Sequence, residues 1–378
     1  MVSDVVIAGA GIGGLTLAVA LKRRAVRVRV FERANPLTAA GAGIALPANG
    51  VKALQKLRLG EAVANAGMVV ERAAILDSHG RQLGSEVDLT DVYNTMGASL
   101  VALHRARLYA VLLDAVGPDV VTTGAQVASF EQDAGSVHVA LMDGHRVEAE
   151  LLVGADGLHS SVRAQLVGNE APVYSGYTSW RGVTLPGSVT VPHRTSESWG
   201  RGERFGIVPI GFGEIYWFAV ADAPPDGRDG DVHRELMARF QSWHEPIAAI
   251  IEATPADRIV RTDICDREPI ARWHSERVVL LGDAAHPMTP NLGQGAAQAI
   301  EDAVVLDECL SATSTIQDAL VRYEQRRVAR ANGIARTSRQ FGVIAQWSNP
   351  VATWIRNQAM SLLPASMAVN QAKKLMTV

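Results

Sequence analysis

The N-terminal residues contain the feature that most restricts how this chain can fold. Residues 4–8 are a short apolar run rich in valine and isoleucine, which predicts a buried parallel strand. The glycine-rich segment 9–14 follows, and residues 13–24 have the apolar spacing of a helix with a basic last turn. Residues 26–31 alternate as a second strand. These segments predict a βαβ unit whose first strand and helix are joined by a glycine-rich turn.

This turn has the pattern of a dinucleotide-binding site. Gly9 permits a tight turn, Gly11 lets the backbone approach a pyrophosphate, and Gly14 lets the helix pack closely on the strand. The helix N-terminus then presents its N–H groups to the phosphates. Glu32 ends the second strand, where a carboxylate can accept hydrogen bonds from a ribose hydroxyl. The pattern indicates a dinucleotide without saying which one.

Two later turns also follow predicted strands. Asp156-Gly157 comes after the apolar residues 151–153, and its residue types alone favour an ordinary strand–turn–helix junction. Residues 277–281 lead into Gly282-Asp283, where a carboxylate at a strand end can bind a polyol. The segment 293–295 then begins a helix whose N-terminus can stabilise an anionic ring. Two dinucleotide-like turns so far apart in the sequence are explained if both bind one extended ligand.

The remaining patterns predict how the chain is divided. Helical spacing occurs at 49–66, 105–115, 231–252 and over most of 315–378. Residues 135–153 alternate as a hairpin around Asp143-Gly144, and residues 172–222 contain a run of short aromatic strands. We therefore expect an α/β (α+β) fold in which a Rossmann-like nucleotide domain carries an inserted, mainly antiparallel β-sheet domain and C-terminal helices. The expected boundaries are 1–70, 97–170 and 262–330 for the nucleotide domain, 71–96 and 171–261 for the sheet domain, and 331–378 for the helices.

Composition excludes several other classes of protein. The net charge is −3 and charged residues make up 20% of the chain, so the sequence shows no basic surface for nucleic acid. The two cysteines, Cys265 and Cys309, lack the spacing of a metal site or a disulfide framework, and no metal is expected. No uninterrupted apolar stretch is long enough for a transmembrane helix, and the first residues do not resemble a signal peptide. These features favour a soluble cytoplasmic protein.

The three turns, in this order and at these separations, resemble the single-component FAD-dependent aromatic hydroxylases with the p-hydroxybenzoate hydroxylase fold. The resemblance covers essentially the whole chain. It matches the first turn to that family's FAD-ADP site, the Asp156-Gly157 segment to a fingerprint for FAD and NAD(P)H, and Gly282-Asp283 to its FAD-ribityl fingerprint. Residues 103–108 resemble a helix start that directs an arginine, here Arg105, to the FAD. The likeness is strongest to a branch with 2-alkyl-4-quinolone 3-hydroxylase, FAD-dependent urate hydroxylase and zeaxanthin epoxidase.

The resemblance implies a reaction and its reactants. FAD would be the cofactor, NADH or NADPH the reductant, and O₂ the oxidant, acting through a flavin C4a-hydroperoxide to hydroxylate a small aromatic or N-heteroaromatic substrate. A flavoprotein epoxidase or another FAD-dependent oxidoreductase of the same fold is the alternative. A simple dehydrogenase would leave the Gly282-Asp283 segment unexplained, and a ligand-sequestering protein would not oxidise NAD(P)H when substrate is added. A monomer or a homodimer is expected.

The resemblance also implies a set of site residues. For the cofactor these are Gly9, Gly11, Gly14, Glu32, Arg33, Gly43, Ile44, Ala45, Arg105, Val127, Asp156, Asp283, Gly293, Gln294, Gly295 and Ala296. Arg204, Tyr216 and Pro290 are the expected catalytic residues, and Ser179, Arg181, Arg204 and Tyr216 the expected substrate contacts. Ser179 and Arg181 stand where the urate enzyme carries asparagines, which argues against urate itself. The aromatic residues Trp180, Trp199 and Phe205 and the histidines His104 and His286 are expected to be structural.

The C-terminal segment 347–363 allows more than one interpretation. Val351, Trp354, Ile355, Ala359 and Leu362 recur at helical spacing. Packing of this helix on the nucleotide domain is the favoured prediction. A peripheral membrane contact or a lid over an apolar substrate are the alternatives.

Overall fold

The computed structural model describes residues 2–37 and 42–377 as a mixed α/β fold. Its strands are β1 Asp4–Ala8, β2 Arg27–Glu32, β3 Gly43–Leu46, β4 Gly67–Val69, β5 Arg72–Asp77, β6 Val87–Asp88, β7 Val101–His104, β8 Val121–Thr123, β9 Val127–Gln132, β10 Val137–Leu141, β11 Arg146–Ala149, β12 Leu151–Gly154, β13 Val173–Val183, β14 Thr195–Trp199, β15 Glu203–Pro209, β16 Ile215–Asp222, β17 Val260–Asp266, β18 His274–Ser275 and β19 Val278–Leu280. Its helices are α1 Ile12–Lys22, α2 Ala48–Lys56, α3 Gly60–Asn65, α4 Thr90–Met96, α5 Arg105–Val116, α6 Ser161–Val167, α7 Val232–Phe240, α8 Ile247–Glu252, α9 Gly295–Ala312, α10 Ile316–Ala345, α11 Pro350–Ser361 and α12 Ala365–Met376.

The predicted βαβ unit forms the centre of a six-stranded sheet with the order β18-β19-β12-β1-β2-β8. β1 pairs in parallel with β12 on one side and β2 on the other, and β12 pairs in parallel with β19. Every residue of β12 and β19 is buried. Since neighbouring parallel strands end at the same edge of the sheet, the turns after β1, β12 and β19 meet there. The sequence prediction of three cooperating turns therefore has a direct geometric basis.

The second large sheet is the predicted insertion. Its order is β17-β13-β16-β15-β14-β5-β6, and it is antiparallel except for the parallel pairing of β14 with β5. On one face, Trp180, Phe205 and Trp217 pack against α7 and α8, including Phe240 of α7. The rings of Phe205 and Trp217 are stacked, with their centres 5.4 Å apart. The buried positions of Trp180 and Phe205 follow the structural assignment made from the sequence. The opposite face is turned towards the nucleotide domain.

Three sequence predictions of element extent were wrong. The helix predicted over 49–66 is divided into α2 and α3, because Arg58 adopts a left-handed backbone conformation with φ of +57°. The helix predicted over 231–252 ends at Phe240, and α8 begins after Pro246, whose ring nitrogen cannot donate a helical hydrogen bond. The hairpin predicted over 135–153 ends with β11, because Leu151 pairs with β1 in the parallel sheet.

The C-terminal third is helical, as the sequence predicts. α10 packs against α9 and against the segment 290–292, and Pro350 and Pro364 stand at the starts of α11 and α12. Among the described residues, no helix has both the length and the apolarity needed to cross a bilayer.

The close packing of α1 on β1 yields a prediction about stability. A Cβ atom on Gly14 would overlap the carbonyl oxygen of Gly9, whereas a Cβ atom on Gly11 would have no protein atom within 4 Å. Gly14→Ala is expected to lower the free energy of unfolding by about 2 kcal/mol, the usual cost of overpacking. Gly11→Ala is the matched control, with a change below about 0.5 kcal/mol. Urea unfolding of both apoproteins checks this, and equal stabilities would contradict it.

Candidate cofactor and substrate site

A cavity of about 190 Å³ lies where the first two turns meet. It is lined by the residues predicted for the nucleotide and by several others: Ala8, Gly9, Gly11, Phe31, Glu32, Arg33, Gln126, Val127, Ala155, Asp156, Gly157 and His159. Gly9 has a φ of +99°, and a Cβ there would overlap the backbone of Ala155. The strand that carries Asp156 can therefore approach the first turn only because residue 9 is glycine.

Two carboxylates of this cavity have distinct tasks. Glu32 accepts hydrogen bonds from the backbone N–H groups of Ala10 and Ala34, both at 2.9 Å. These bonds fix its carboxylate beside the glycine-rich turn, where a ribose would bind. Asp156 accepts from the N–H of Ser161 at 2.8 Å through Oδ2. Its Oδ1 atom is buried and has no hydrogen-bond partner among the described residues. Asp156 thus accepts from the first N–H group of α6 through one oxygen, and its other oxygen has no protein partner among the described residues.

The third turn is held from behind by a buried ionic network. Asp302 accepts from the N–H of Gly282 at 3.0 Å and from Arg327 Nε at 2.6 Å, and it lies 2.5 Å from Nε2 of His286. Burial alone would raise the pKa of Asp302, but the charges of His286 and Arg327 bring it down to about 2. Asp302 is therefore ionised at neutral pH and orients the turn that carries Asp283.

Asp283 projects from this turn into the cleft. Solvent reaches its side chain, yet protein atoms surround it closely enough that desolvation raises the pKa of its carboxyl group, against the opposing charges of His286 and Arg105. A carboxylate in this position suits hydrogen bonds to the hydroxyl groups of a polyol chain. Since Asp302 and not Asp283 binds the turn, Asp283 is free to act on a ligand.

The segment after this turn reaches the start of α9. Pro290 is exposed, Gly293 adopts a left-handed conformation with φ of +62°, and the first turn of α9 has no side-chain cap in the part of the chain that is described. Gln294 is buried and accepts from Asn49 Nδ2 at 3.0 Å. Gly295 and Ala296 are half-buried at the helix start. The uncapped N–H groups and the helix dipole make this a favourable place for negative charge.

Arg204 connects this segment to the inserted sheet. Its guanidinium group donates to Asn291 Oδ1 at 2.8 Å, to Glu197 at 3.0 Å and to Gln346 at 2.6 Å, and the residue is only 2% exposed. Asn291 in turn donates to the hydroxyl oxygen of Tyr177 at 2.8 Å. The structure therefore places Arg204 in a bonded network beside the cleft. Its expected role as a catalytic residue and substrate contact stays a prediction.

The face of the inserted sheet turned towards the cleft combines aromatic and basic side chains. Strand register sets Val183 beside Tyr216, Arg181 beside Phe218 and Ser179 beside Val220. The rings of Tyr216 and Phe218 lie 6.1 Å apart. β3 passes directly against this face, because a Cβ on Gly43 would overlap the Tyr216 ring. Ser179 itself is buried.

Tyr216 is suited to donate a hydrogen bond rather than to act as a base. Burial raises the pKa of its hydroxyl group, and the charges of Arg181 and Arg105 only partly oppose this effect. The hydroxyl is therefore protonated at neutral pH. A protonated hydroxyl can orient a phenol-like substrate by donating to it, whereas it cannot remove the substrate's proton.

Other predicted cofactor residues lie on elements next to these turns. Ile44 and Ala45 are in β3, paired with β7, whose end carries Arg105 at the start of α5. Arg33 and Arg105 are exposed, and Val127 begins β9 beside the Asp156 turn. His104 caps α5 by accepting from the N–H of Ala106.

Sequence reasoning missed several residues of the site. Gln126, Phe31 and His159 line the nucleotide cavity, and Asn49, Asn291 and Asp302 hold the segments around the second half of the cleft. Asn291 lies inside a motif that the sequence already marked, so the run of glycine and proline around it was an available signal. Asn49 and Gln346 carry no local pattern, because their partners are distant in sequence.

A larger cavity of about 570 Å³ lies elsewhere, among residues such as Glu150, Arg277 and Thr315. Glu150 and Arg277 precede β12 and β19, so this cavity is at the amino ends of the parallel strands. Ligands of open parallel sheets bind at the carboxyl ends. The smaller cavity, and not this one, adjoins the predicted chemistry.

The residues of the cleft fit FAD. Gly11 presents open space where a side chain would obstruct a pyrophosphate, α1 begins without a side-chain cap among the described residues, and Asp156 keeps an unpartnered oxygen. Glu32 and Asp283 supply carboxylates that can accept hydrogen bonds from a ribose and from a polyol chain. These groups suit an extended dinucleotide with a sugar-alcohol chain.

The position of Asp283 generates a prediction about cofactor affinity. Asp283→Ala is expected to weaken FAD binding at least roughly tenfold, since a charge-assisted hydrogen bond contributes about 1.5–3 kcal/mol. Asp143→Ala, in the exposed hairpin turn, is the matched control and should bind FAD normally. Titration of each apoprotein with FAD by fluorescence quenching measures both. Full FAD occupancy and normal turnover in Asp283→Ala would refute the assignment.

Comparison with known proteins agrees with this geometry. Residues 2–338 match a family model described as FAD binding domain. The chain is 49% identical to aurachin C monooxygenase/isomerase of Stigmatella aurantiaca, with 95% of this chain and 94% of that protein covered. It is 33% identical to 2-heptyl-3-hydroxy-4(1H)-quinolone synthase of Pseudomonas aeruginosa, with 95% and 94% covered.

A solved structure supports the same relationship. The crystal structure of Klebsiella pneumoniae HpxO complexed with FAD and uric acid superimposes with a TM-score of 0.93 at 30% identity, over 98% of this chain and 96% of that one. The expected family, fold and cofactor are thereby confirmed. The chain belongs to the FAD binding domain family and is an FAD-dependent monooxygenase.

Proposed function

We propose that this monooxygenase hydroxylates an N-heteroaromatic compound of the alkylquinolone type, with NADH or NADPH as reductant and O₂ as oxidant. The observation that carries the substrate class is the sheet face opposite β3, where Tyr216 and Phe218 lie next to Arg181. Two aromatic rings can hold a flat bicyclic ring, while a phenol hydroxyl and a guanidinium can bind its oxygen. The quinolone named for the Pseudomonas relative has both features.

Bound FAD supplies the redox and oxygen chemistry. The protein residues position the reactants around it. Asp302 and Arg327 fix the turn of Asp283, and the Arg204–Asn291 contact holds the segment 290–292 against the sheet. The distance between cofactor and substrate is thus set by side chains with little freedom to move, which favours reaction geometry.

Tyr216 and Arg181 would orient the substrate. A protonated Tyr216 would donate to the exocyclic C4 oxygen of a 4-quinolone. Arg181 would stabilise the negative charge that this oxygen carries when the quinolone loses its N–H proton and the neighbouring carbon becomes electron-rich. Ser179 is too deeply buried for broad contact and is proposed as a neighbour of the pocket wall. Pro290 is proposed to line the reactive edge of the flavin.

Four further expectations from the sequence belong to the same proposal. They are the domain boundaries stated from the sequence, a monomer or homodimer, a cytoplasmic location and a weak peripheral membrane contact through the C-terminal helices. The β5–β6 strands pair with the inserted sheet, which supports assigning 71–96 to the substrate domain. Epoxidation stays the alternative reaction, since it would use the same cofactor cleft.

A turnover assay tests the reaction. Purified holoenzyme is mixed in air with NADH or NADPH and with 2-heptyl-4-quinolone, urate, salicylate, hydroxybenzoates or hydroxynicotinate. We expect the quinolone to stimulate nucleotide oxidation and to yield a product heavier by one oxygen, with NMR separating a hydroxyl from an epoxide. Stimulation by urate or a benzoate alone would refute the quinolone class, and no stimulation by any compound would count against the class as well.

The role of Tyr216 is tested by Tyr216→Phe. Loss of one substrate hydrogen bond is expected to lower kcat/KM about tenfold, while FAD content stays unchanged. Tyr174→Phe is the matched control. Tyr174 lies at the start of β13, away from Tyr216, and its hydroxyl group donates to the carbonyl oxygen of Ala223. Unchanged kcat/KM in Tyr216→Phe would remove this residue from the site.

A further inference from the structure

The outward side of α11 and the start of α12 form an exposed apolar surface. We call it the C-terminal apolar surface and define it by Val351, Trp354, Ile355, Leu362, Leu363 and Met367. Val351 is 65% exposed, Trp354 63% and Leu362 84%. Val351, Trp354, Ile355 and Leu362 follow helical spacing, so they lie on one side of the helix. The sequence prediction that these residues pack on the nucleotide domain was wrong.

The opposite side of α11 explains why the apolar side faces outward. Thr353 and Arg356 are the buried residues of this helix. Arg356 donates to the carbonyl oxygens of Ala345 at 2.8 Å and Gly200 at 3.0 Å, and its guanidinium lies 5.0 Å from the centre of the Trp199 ring. α11 is therefore anchored to the inserted sheet by polar and cation–π contacts. This orientation requires Trp354 and Ile355 to point into solvent.

The distribution of charge around this surface is unusual. Residues 340–372 contain a single charged side chain, the buried Arg356, and no aspartate or glutamate follows Glu324. Protein surfaces ordinarily carry charged residues at about a quarter to a third of positions. The nearest exposed charges in the sequence on either side are basic: Arg336 before the segment and Lys374 after it. α12 also packs against α4, which carries the exposed Asp91, so the basic character is that of the C-terminal segment itself.

We propose that the C-terminal apolar surface docks on a membrane that contains anionic phospholipids. Tryptophan favours the boundary between headgroups and acyl chains, and neighbouring aliphatic side chains enter the acyl region. Arg336 and the lysines of α12 attract anionic headgroups. An uncharged apolar segment that is flanked by bases along the chain is complementary to such a bilayer.

The C-terminal apolar surface and the cleft lie on two sides of the end of α10. Val343, Ile344 and Trp347 continue the exposed apolar character into the end of α10. The other side of the same turns contacts the cleft: Gly342 packs against Asn291 and Tyr177, and Ser338 donates to the Thr289 carbonyl at 2.7 Å. A docked enzyme would thus hold its cleft close to the lipid. This link rests on the proposed function, because an alkylquinolone partitions into bilayers.

Vesicle co-sedimentation of the full-length holoenzyme tests the proposal without substrate. Vesicles of phosphatidylcholine alone are compared with vesicles containing an equal share of phosphatidylglycerol. We expect at least tenfold stronger binding to the anionic vesicles, weakened by 0.5 M salt because the headgroup attraction is screened. Absence of binding to anionic vesicles would overturn the proposal.

Variants assign the binding to this surface. The double variant Trp354→Ser/Ile355→Ser should reduce binding to anionic vesicles at least tenfold, and Lys373→Gln/Lys374→Gln should reduce it several-fold. Met142→Ser, at a hairpin residue that is 68% exposed, is the matched control and should bind like the parent chain. FAD absorbance and thermal unfolding verify that each variant is folded. Unchanged binding in the Trp354/Ile355 variant would overturn the assignment.

Two further measurements separate this inference from its alternatives. Light scattering after size exclusion reports the oligomeric state, and a dimer that the Trp354/Ile355 variant dissociates would show that a second chain covers the surface, which overturns the proposal. Vesicle binding is scored without turnover, so a failed quinolone assay leaves the docking result intact, and normal turnover without vesicle binding refutes docking alone.

Discussion

The organisation of this enzyme depends on how closely three backbone turns approach one another at the carboxyl edge of the parallel sheet. Gly9 and Ala155 are nearly in contact, and Gly14 packs directly against the carbonyl group of Gly9. Side chains at these glycines would separate α1 from β1 and β12 from the first turn. The approach brings Glu32, Asp156 and Asp283 around one cleft, although they come from distant parts of the sequence. The cofactor site is thus a consequence of backbone packing before any side chain is considered.

A second level of organisation is ionic. Asp302 and Arg327 are almost completely excluded from solvent, where the cost of desolvation offsets much of the attraction between the two charges. Here the orientation is specific, because Asp302 receives the N–H of Gly282 and so sets the direction of Asp283. Arg204, on the inserted sheet, donates to Asn291 and so holds the segment 290–292 against that sheet. The cleft therefore lies between two parts of the chain that are held together by buried polar contacts.

The inserted sheet shows how one element serves two purposes. The side that packs on α7 and α8 has an apolar centre with the stacked rings of Phe205 and Trp217, and provides rigidity. The side towards the cleft carries Tyr216, Phe218 and Arg181, whose neighbours are fixed by strand register. Because successive residues of a strand face opposite sides, the same stretch of sequence encodes both the core and the proposed substrate wall. The helix α11 also has two different sides: the side with Arg356 is anchored to the protein, and the side with Trp354 is apolar and exposed.

The sequence by itself determined the features that depend on local backbone chemistry. The glycine-rich turn after β1, the Gly282-Asp283 turn and the alternating strands could be predicted, since glycine requirements and side-chain periodicity are properties of neighbouring residues. Only the tertiary structure decided which polar groups remain free for ligands. It showed that Arg204 is engaged by Gln346, Glu197 and Asn291, that Asp302 is the partner of the third turn, and that Trp354 faces solvent. These facts depend on contacts between residues far apart in the chain, and no local pattern records them.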